Sequence, residues 1–433
     1  MTTDTAYRPH IIIPVWGPRH TALFLKCGLP SHLAPGNLPA IAHRRPVYWI
    51  VTDADDAETI RASDAFERLA KRFDARIVTP ETEPLEGGAA GGYSGQDILG
   101  YFKMTRFYLA AQHRAVAEDG ANAAFFMLTA EGICSDGMFA AFDRRFEEGY
   151  RAVVNPGFRL SEEDALEPML REHLTEDGAF AATPRELVRW LLRAPHPITL
   201  AHIWHAASDG DAAGGEPARA EGNHLHPHYY FEVPNQGFVV HAFHTHPLAI
   251  WPVSSNPFPP DDQTVDHEYV QNAVPLHKIH YPTDTDELII LDVALGTHLD
   301  DHIMQRPYSR RDVVDFALQW TNGTQRRLFE RPILAHATDI GPPWEPVRAA
   351  AGSVAAEVVS GLERTIKMRC YHPEQAVFTA ADADADVRPR RLVRCALDMH
   401  RRVDSFRQRR EDVGLLRAFA IRTRLRRALG RTG

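Results

Sequence analysis

The 433-residue chain has four cysteines, Cys27, Cys134, Cys370 and Cys395, and no two of them form a C-x-x-C pair. This argues against a thiolate zinc site and against a disulfide framework, and it makes a reducing cytoplasm the simplest compartment. No run of ~18 apolar residues occurs, so no membrane-spanning helix is expected. The opening stretch MTTDTAYRPHIIIPVWG lacks a basic segment followed by a long apolar one, and does not read as a signal peptide. Lysine is scarce beside arginine and alanine, the composition of a GC-rich bacterial genome. Charge is unevenly spread. Val387–Gly433 carries 15 Arg against four acids, so the net −9 divides into +11 for this tail and −20 for the rest. An acidic body of that size is a poor match for nucleic acid.

Hydrophobic content of 44% and charged content of 24% are ordinary for a globular protein. The length suggests about two or three domains. Apolar runs ending in turn residues predict strands at RPHIIIPVWG (Arg8 to Gly17), Val47 to Val51, ARIVTP (Ala75 to Pro80), AAFFMLT and YRAVVNPGF. Helical spacings lie between them, including the long QDILGYFKMTRFYLAAQHRAVAEDG. Strands alternating with helices predict an α/β class: a Rossmann-like, mostly parallel sheet with helices on both faces. In TPRELVRWLLRAPHP, Thr183 is placed to cap a helix with Pro184 at its first position. EGGAAGGYSG (Glu86 to Gly95) and SDGDAAGGEPARAEGN (Ser208 to Asn223) read as a loop and a linker. The expected organisation is an α/β half at 1–160, a helical insertion and linker at 161–222, a His-rich mixed β and loop segment at 223–308, and a helical region with its basic tail at 309–433.

Chemistry in such a sheet belongs in the loops after the strands. Those loops hold Pro14, Val15, Trp16 and Gly17; then Asp53, Asp55 and Asp56; then Glu131 and Asp136. Acids at strand ends suit a ribose, a base edge or a metal-bound diphosphate. They also suit capping of the next helix, and for Asp56 and Asp136 both readings stay open. Asp53 and Glu131 lie nearest the strand ends and are favoured for function.

The first ~155 residues resemble the nucleotide-sugar half of GT-A-type, family-2-like glycosyltransferases. The resemblance rests on IIIPVWG as the first strand with its Pro-containing loop, and on IVTDADDAETI as the acid-rich turn after the second. In that family an Asp of the second turn contacts the nucleobase. The fourth strand usually ends in Asp-x-Asp, which holds a divalent cation on the donor diphosphate; here the chain reads TAEG, followed by CSDG. The resemblance implies a nucleotide-sugar donor bound at Pro14–Gly17, Asp53, Asp55, Lys103 and Glu131, with Mn²⁺ or Mg²⁺ as candidate cofactor. It further implies a carbohydrate or glycolipid acceptor, such as a cell-envelope glycan.

Residues 224–302 hold 11 of the 23 histidines. On a strand, HAFHTHP puts His244 and His246 on one face and His241 on the other. Two imidazoles on one face suit zinc, manganese or iron, and His244, His246 and Glu131 are the candidate metal ligands. Histidines that hydrogen-bond substrate or backbone are the other reading. His244, His246 and Ser254 also match the spacing of a JAMM-type zinc hydrolase, but Pro257 stands where that motif needs Asp; Glu232 would be its nearest upstream acid. A non-catalytic nucleotide- or carbohydrate-binding protein is a third reading.

Transfer to a hydroxyl needs a carboxylate base. Asp266 and Glu268, after the His strand, are the first candidates, and Asp284, Asp286 and Glu287 form a second cluster. Retention and inversion are not distinguished. Trp251, Phe258, Tyr229, Tyr230 and Phe231 flank the histidines and suit either sugar stacking or the core. The basic amphipathic stretch Leu415 to Gly430 suits an anionic membrane surface or docking within a homodimer.

Overall fold

The computed structural model describes residues 7–80, 95–201, 203–204, 228–253, 258, 265, 269–297, 313–315, 317–318, 321 and 323–371. Its strands are β1 (Arg8–Pro14), β2 (Val47–Val51), β3 (Asp74–Val78), β4 (Ala123–Met127), β5 (Gly132–Cys134), β6 (Ala152–Asn155) and β7 (Phe158–Ser161). There follow β8 (Ile203–Trp204), β9 (His228–Val233), β10 (Gly237–Ala242), β11 (His246–Ile250), β12 (Ile279–His280), β13 (Ile290–Ala294) and β14 (Ile333–His336). Among the helices are α1 (Pro18–Leu23), α2 (Leu29–His32), α3 (Ala54–Arg61), α4 (Asp64–Ala70), α5 (Gly95–Asp119), α6 (Met138–Glu147), α7 (Glu162–His173) and α8 (Pro184–Arg193).

The main sheet has seven strands in the order β12-β6-β11-β4-β1-β2-β3. The order β3-β2-β1-β4 is parallel throughout. β11 is reversed and lies between β4 and β6, while β12 runs parallel to β6. The apolar strands follow from burial on both faces, because alternate side chains point to opposite sides. Ile12, Trp49 and Phe125 pack against Phe107, Tyr108 and Ala111 of α5. Their neighbours Ile11, Ile13, Tyr48, Ile50 and Phe126 pack with Phe139, Phe142 and Phe146 of α6, Ile60 of α3 and Leu69 of α4. Each such side chain contributes roughly 1.5–3 kcal/mol on burial. The α/β layering expected from the sequence is therefore present, with helices on both faces.

At the end of the sheet where β1 begins, His10 is fully buried. Trp49 donates its indole N–H to His10 Nδ1 at 3.0 Å, so the ring is the Nε2–H tautomer and donates to Asp119 at 2.8 Å. Burial holds this imidazole down to about 4, against the opposing pull of Asp119. Thr183 caps α8 as its spacing predicts, in a full capping box with Glu186 and with Pro184 in the first turn.

Two expectations are corrected. YRAVVNPGF is not one strand: Pro156 has no N–H for a ladder and Gly157 takes φ +70°, so the chain leaves the main sheet as β6 and re-enters a three-stranded sheet, β5-β13-β7, as β7. The turn after Glu131 contains β5. Within 309–433, β14 adds a strand to a third sheet, β14-β10-β9-β8. A helix at Trp344–Tyr371 covers that sheet with Trp344, Val347, Ala351, Val354, Val358 and Leu362, a helical stripe. Strands therefore pair across the boundaries read at 160, 222 and 308: β11 and β12 complete the main sheet, and β8 and β14 flank β9 and β10. Among the described residues no helix is long and apolar enough to cross a membrane.

Candidate functional site

β1 leads to β2 on one side, and after β3 the chain returns to pair β4 on the other side of β1. The loops after β1 and β4 therefore separate and leave a crevice at the carboxyl ends of the strands, the position where open α/β sheets bind ligands. The residues expected to bind a donor lie there. Pro14 ends β1, and Val15 continues its pairing through N–H to Val51 O at 2.9 Å. Trp16 is half-buried and meets the edge of Phe107 at 5.5 Å. Gly17, at φ +80°, turns the chain into α1. Asp56 accepts from Gly17 N–H at 2.7 Å and from the Thr21 hydroxyl at 3.0 Å. It therefore fastens the first loop to the second. Asp136 similarly accepts from Gly36 N–H at 2.6 Å. Both acids thus tie loops together. Asp55 lies exposed in the first turn of α3.

Asp53 makes no cap bond to α3. Its carboxylate instead receives Lys103 Nζ at 2.6 Å. The same ammonium stands 5.3 Å from the ring centroids of both Trp16 and Phe107. One aromatic face, one carboxylate and one ammonium are thus assembled from three separate segments. Arg19 and His20 follow on α1; Arg19 pairs with Glu162, and His20 Nδ1 lies 3.5 Å from Glu131. Burial would push the Glu131 carboxyl up, but His20 and Arg19 outweigh it and hold it below the usual range.

Beyond Glu131, β5 pairs with β13 and sets Asp292 opposite Gly132, while β7 sets Arg159 opposite Asp292. Thr129 donates its hydroxyl to Asp292 Oδ1 at 3.1 Å. Burial, then the charge of Glu131, push the Asp292 carboxyl up; His246, Arg159 and Thr129 pull it back only in part. A Cβ on Gly157 would stand 3.2 Å from Asp292 Oδ2 and 3.4 Å from the His246 ring. Asp292, His246 and Gly157 therefore share one corner of the cleft. Two neighbouring carboxylates with opposite shifts are a common arrangement for acid–base work.

The three histidines do not alternate on one strand. β10 ends at Ala242 and β11 begins at His246 in a different sheet, so the chain crosses between sheets at Phe243–Thr245. His244 and His246 nevertheless meet, with ring centroids 4.5 Å apart. His246 pairs with Asn155, which brings it to the strand ends. His241 stays behind in the smaller sheet, where it is buried and its Nδ1 bonds Phe329 O at 2.7 Å.

Among the described residues, Asp284, Asp286 and His336 form a group with ligand atoms within 4.8 Å of one another, and they could hold a metal ion. His244, His246 and Glu131 do not form such a group. The triad is held by internal partners. His336 Nδ1 donates to Thr338 O and Nε2 lies 2.8 Å from Asp284; the hydrogen bond to Asp284 raises the imidazole's proton affinity. Arg185 grips Asp286 through Nε and Nη2. Asp266, Glu268, Ser254 and Pro257 lie outside the described residues, as does the basic tail. Four of the flanking aromatic residues belong to the core: Trp251 packs on Tyr7 and Phe146, Tyr230 on Phe158 and Phe238, and Tyr229 on Phe329, and Phe231 is likewise buried, while Phe258 is half-buried with its ring 4.0 Å from that of His113.

Asp292 is absent from the acids expected from sequence. Its signal was a single charge inside the apolar run LIILDVA, a polar residue at a position that packing alone would fill with an apolar one. No protein-family model matches the chain, and no curated protein is detectably similar to it.

Proposed function

We propose that the chain is a glycosyltransferase that binds a nucleotide-sugar in the crevice between the β1 and β4 loops and transfers the sugar to a carbohydrate or glycolipid acceptor. The observation that carries this reading is the Trp16–Asp53–Lys103 group at the switch point of the sheet. A base can stack on the indole and bond the carboxylate, and the ammonium can meet the diphosphate. The resemblance of IIIPVWG and IVTDADDAETI to GT-A-type enzymes points the same way. Catalysis on this reading is positioning plus neutralisation of the leaving diphosphate. Lys103 supplies positive charge on the donor side. Among the described residues the cleft does not bring three metal-ligating atoms together, and no step is assigned to a cation. Among the described residues no such group surrounds His244 and His246, the pair that suggested a zinc hydrolase.

A thermal-shift panel of UDP, GDP, CDP and dTDP, each with and without Mn²⁺ or Mg²⁺, tests the reading. A ligand bound only by the native state at a hundredfold excess over its Kd stabilises by about 2.7 kcal/mol. The expected result is a shift selective for one base and insensitive to the cation. No shift with any of the four contradicts the reading.

A further inference from the structure

We infer that His336, Asp284 and Asp286 bind one zinc ion, which acts as a structural clamp between β14 and the segment leading into β13. The inference does not depend on the glycosyl-transfer reading. Backbone pairing brings the three residues together. Asp284 forms a parallel bridge with Leu334. Leu334 N–H donates to Thr283 O at 2.8 Å, and Thr285 N–H donates to Leu334 O at 3.1 Å. The buried Thr285 hydroxyl accepts His336 N–H at 3.2 Å. The segment is thus fastened along β14, and both Asp side chains stand against the imidazole.

The imidazole is oriented for a metal. Its side chain is only 3% exposed, and it meets the Trp344 indole edge to face at 6.0 Å. Nδ1 donates to Thr338 O at 2.8 Å, so Nε2 is the nitrogen that faces the carboxylates. A carbonyl on the far nitrogen is the usual support of a metal-binding histidine. Arg185 supports Asp286 in the same way, holding its two oxygens through Nε and Nη2. The spacing also fits. Tetrahedral zinc with bonds of ~2.0–2.1 Å sets its ligand atoms about 3.3 Å apart. His336 Nε2 stands 2.8 Å from Asp284 Oδ1 and 3.7 Å from Asp286 Oδ1, on either side of that value, and one ligand atom from each residue lies within 4.8 Å of the others. Shifts of about 0.5 Å would complete the site.

Charge and donor type point to the same ion. Among the described residues the only guanidinium bonded to this group is that of Arg185, which is shared with Asp339 at 2.6 Å. Three carboxylates against one guanidinium leave an excess of negative charge that a dication neutralises. Two carboxylates with one imidazole suit zinc better than magnesium or calcium, whose sites are built from oxygen. Bound there, zinc would tie the β14 sheet to the chain entering the β5-β13-β7 sheet, and through Asp286 and Arg185 to α8.

The test uses the full chain, stripped with a chelator and returned to zinc alone. Bound zinc is counted by metal analysis, Kd is measured by competition with a chromophoric chelator, and hydrogen–deuterium exchange is compared with and without zinc. Wild type is expected to bind zinc with a Kd below about 1 µM, to keep it against millimolar Mg²⁺, and to show slowed exchange at 283–287 and 333–338. Asp284→Asn is expected to weaken this site at least about 100-fold, since the loss of even an outer partner costs 10–100-fold. Asp284 is half-exposed, and asparagine still accepts the Asp286 N–H. If that variant does not fold, the exchange data on wild type decide alone. A Kd above about 1 µM, displacement by Mg²⁺, unchanged affinity in Asp284→Asn, or slowing confined to other peptides overturns the clamp. The last outcome assigns the zinc to other histidines of the chain.

Discussion

Lys103→Met is expected to weaken nucleoside diphosphate binding by about 10- to 100-fold while leaving the fold intact. Methionine keeps the aliphatic stem against Trp16 and Phe107 but removes the ammonium. A charge-assisted hydrogen bond contributes about 1.5–3 kcal/mol. The loss is greater than a missing phosphate contact alone would produce, because Asp53 then turns an unpaired carboxylate toward the incoming diphosphate. Lys103→Arg should recover part of the affinity, since the charge returns with a different shape. Titration calorimetry with the diphosphate that gives the largest thermal shift reads the effect. An unchanged Kd in Lys103→Met would separate this lysine from the donor.

The second large effect lies at the other end of the sheet and concerns stability alone. His10 is held neutral, with a folded value of about 4 against an ordinary 6.5. The sign follows from which state binds more protons. Between pH 6.5 and 4 the unfolded chain takes up a proton that the folded chain refuses, so stability from this group is complete above 6.5 and is lost as pH falls toward 4. The loss is about 2–3 kcal/mol by pH 4. His10→Gln cannot titrate. It is expected to be less stable than wild type at pH 7 by about 1–3 kcal/mol, because its amide reaches Trp49 Nε1 and Asp119 with poorer geometry. Between pH 7 and 4, however, its stability should fall less steeply. Urea unfolding at both pH values measures the difference. Equal pH slopes in the two proteins would mean that His10 is protonated in the folded state.

The parts of the fold that the sequence declared were those fixed by local physics. Ile11–Ile13, Val47–Val51 and Ala123–Met127 are apolar at consecutive positions because both sheet faces are covered, and such runs have few alternatives. Thr183, Pro184 and Glu186 form their cap within four residues. The positions of Pro14–Gly17 and Asp53 at strand ends were also legible, since they follow those strands directly. What stayed hidden depended on distant pairing. Asp292 reaches the cleft through a register with Gly132 and Arg159, more than a hundred residues earlier in the chain, and no local period encodes that. The proximity of His244 and His246 was expected for the wrong reason: a crossing between two sheets brings them together, not strand alternation. The break at Pro156–Gly157 was visible as turn residues, but an apolar segment on each side suggested one strand.

The central claim is that a nucleotide sits between the β1 and β4 loops. Hydrogen–deuterium exchange of the full chain, with and without the best-bound nucleoside diphosphate, locates it directly. The account predicts slowed exchange in peptides covering residues 15–20, 52–57 and 128–135, with little change at 284–287 and 333–338. Protection confined to the Asp284–Asp286–His336 region, with none in the three loops, would contradict it.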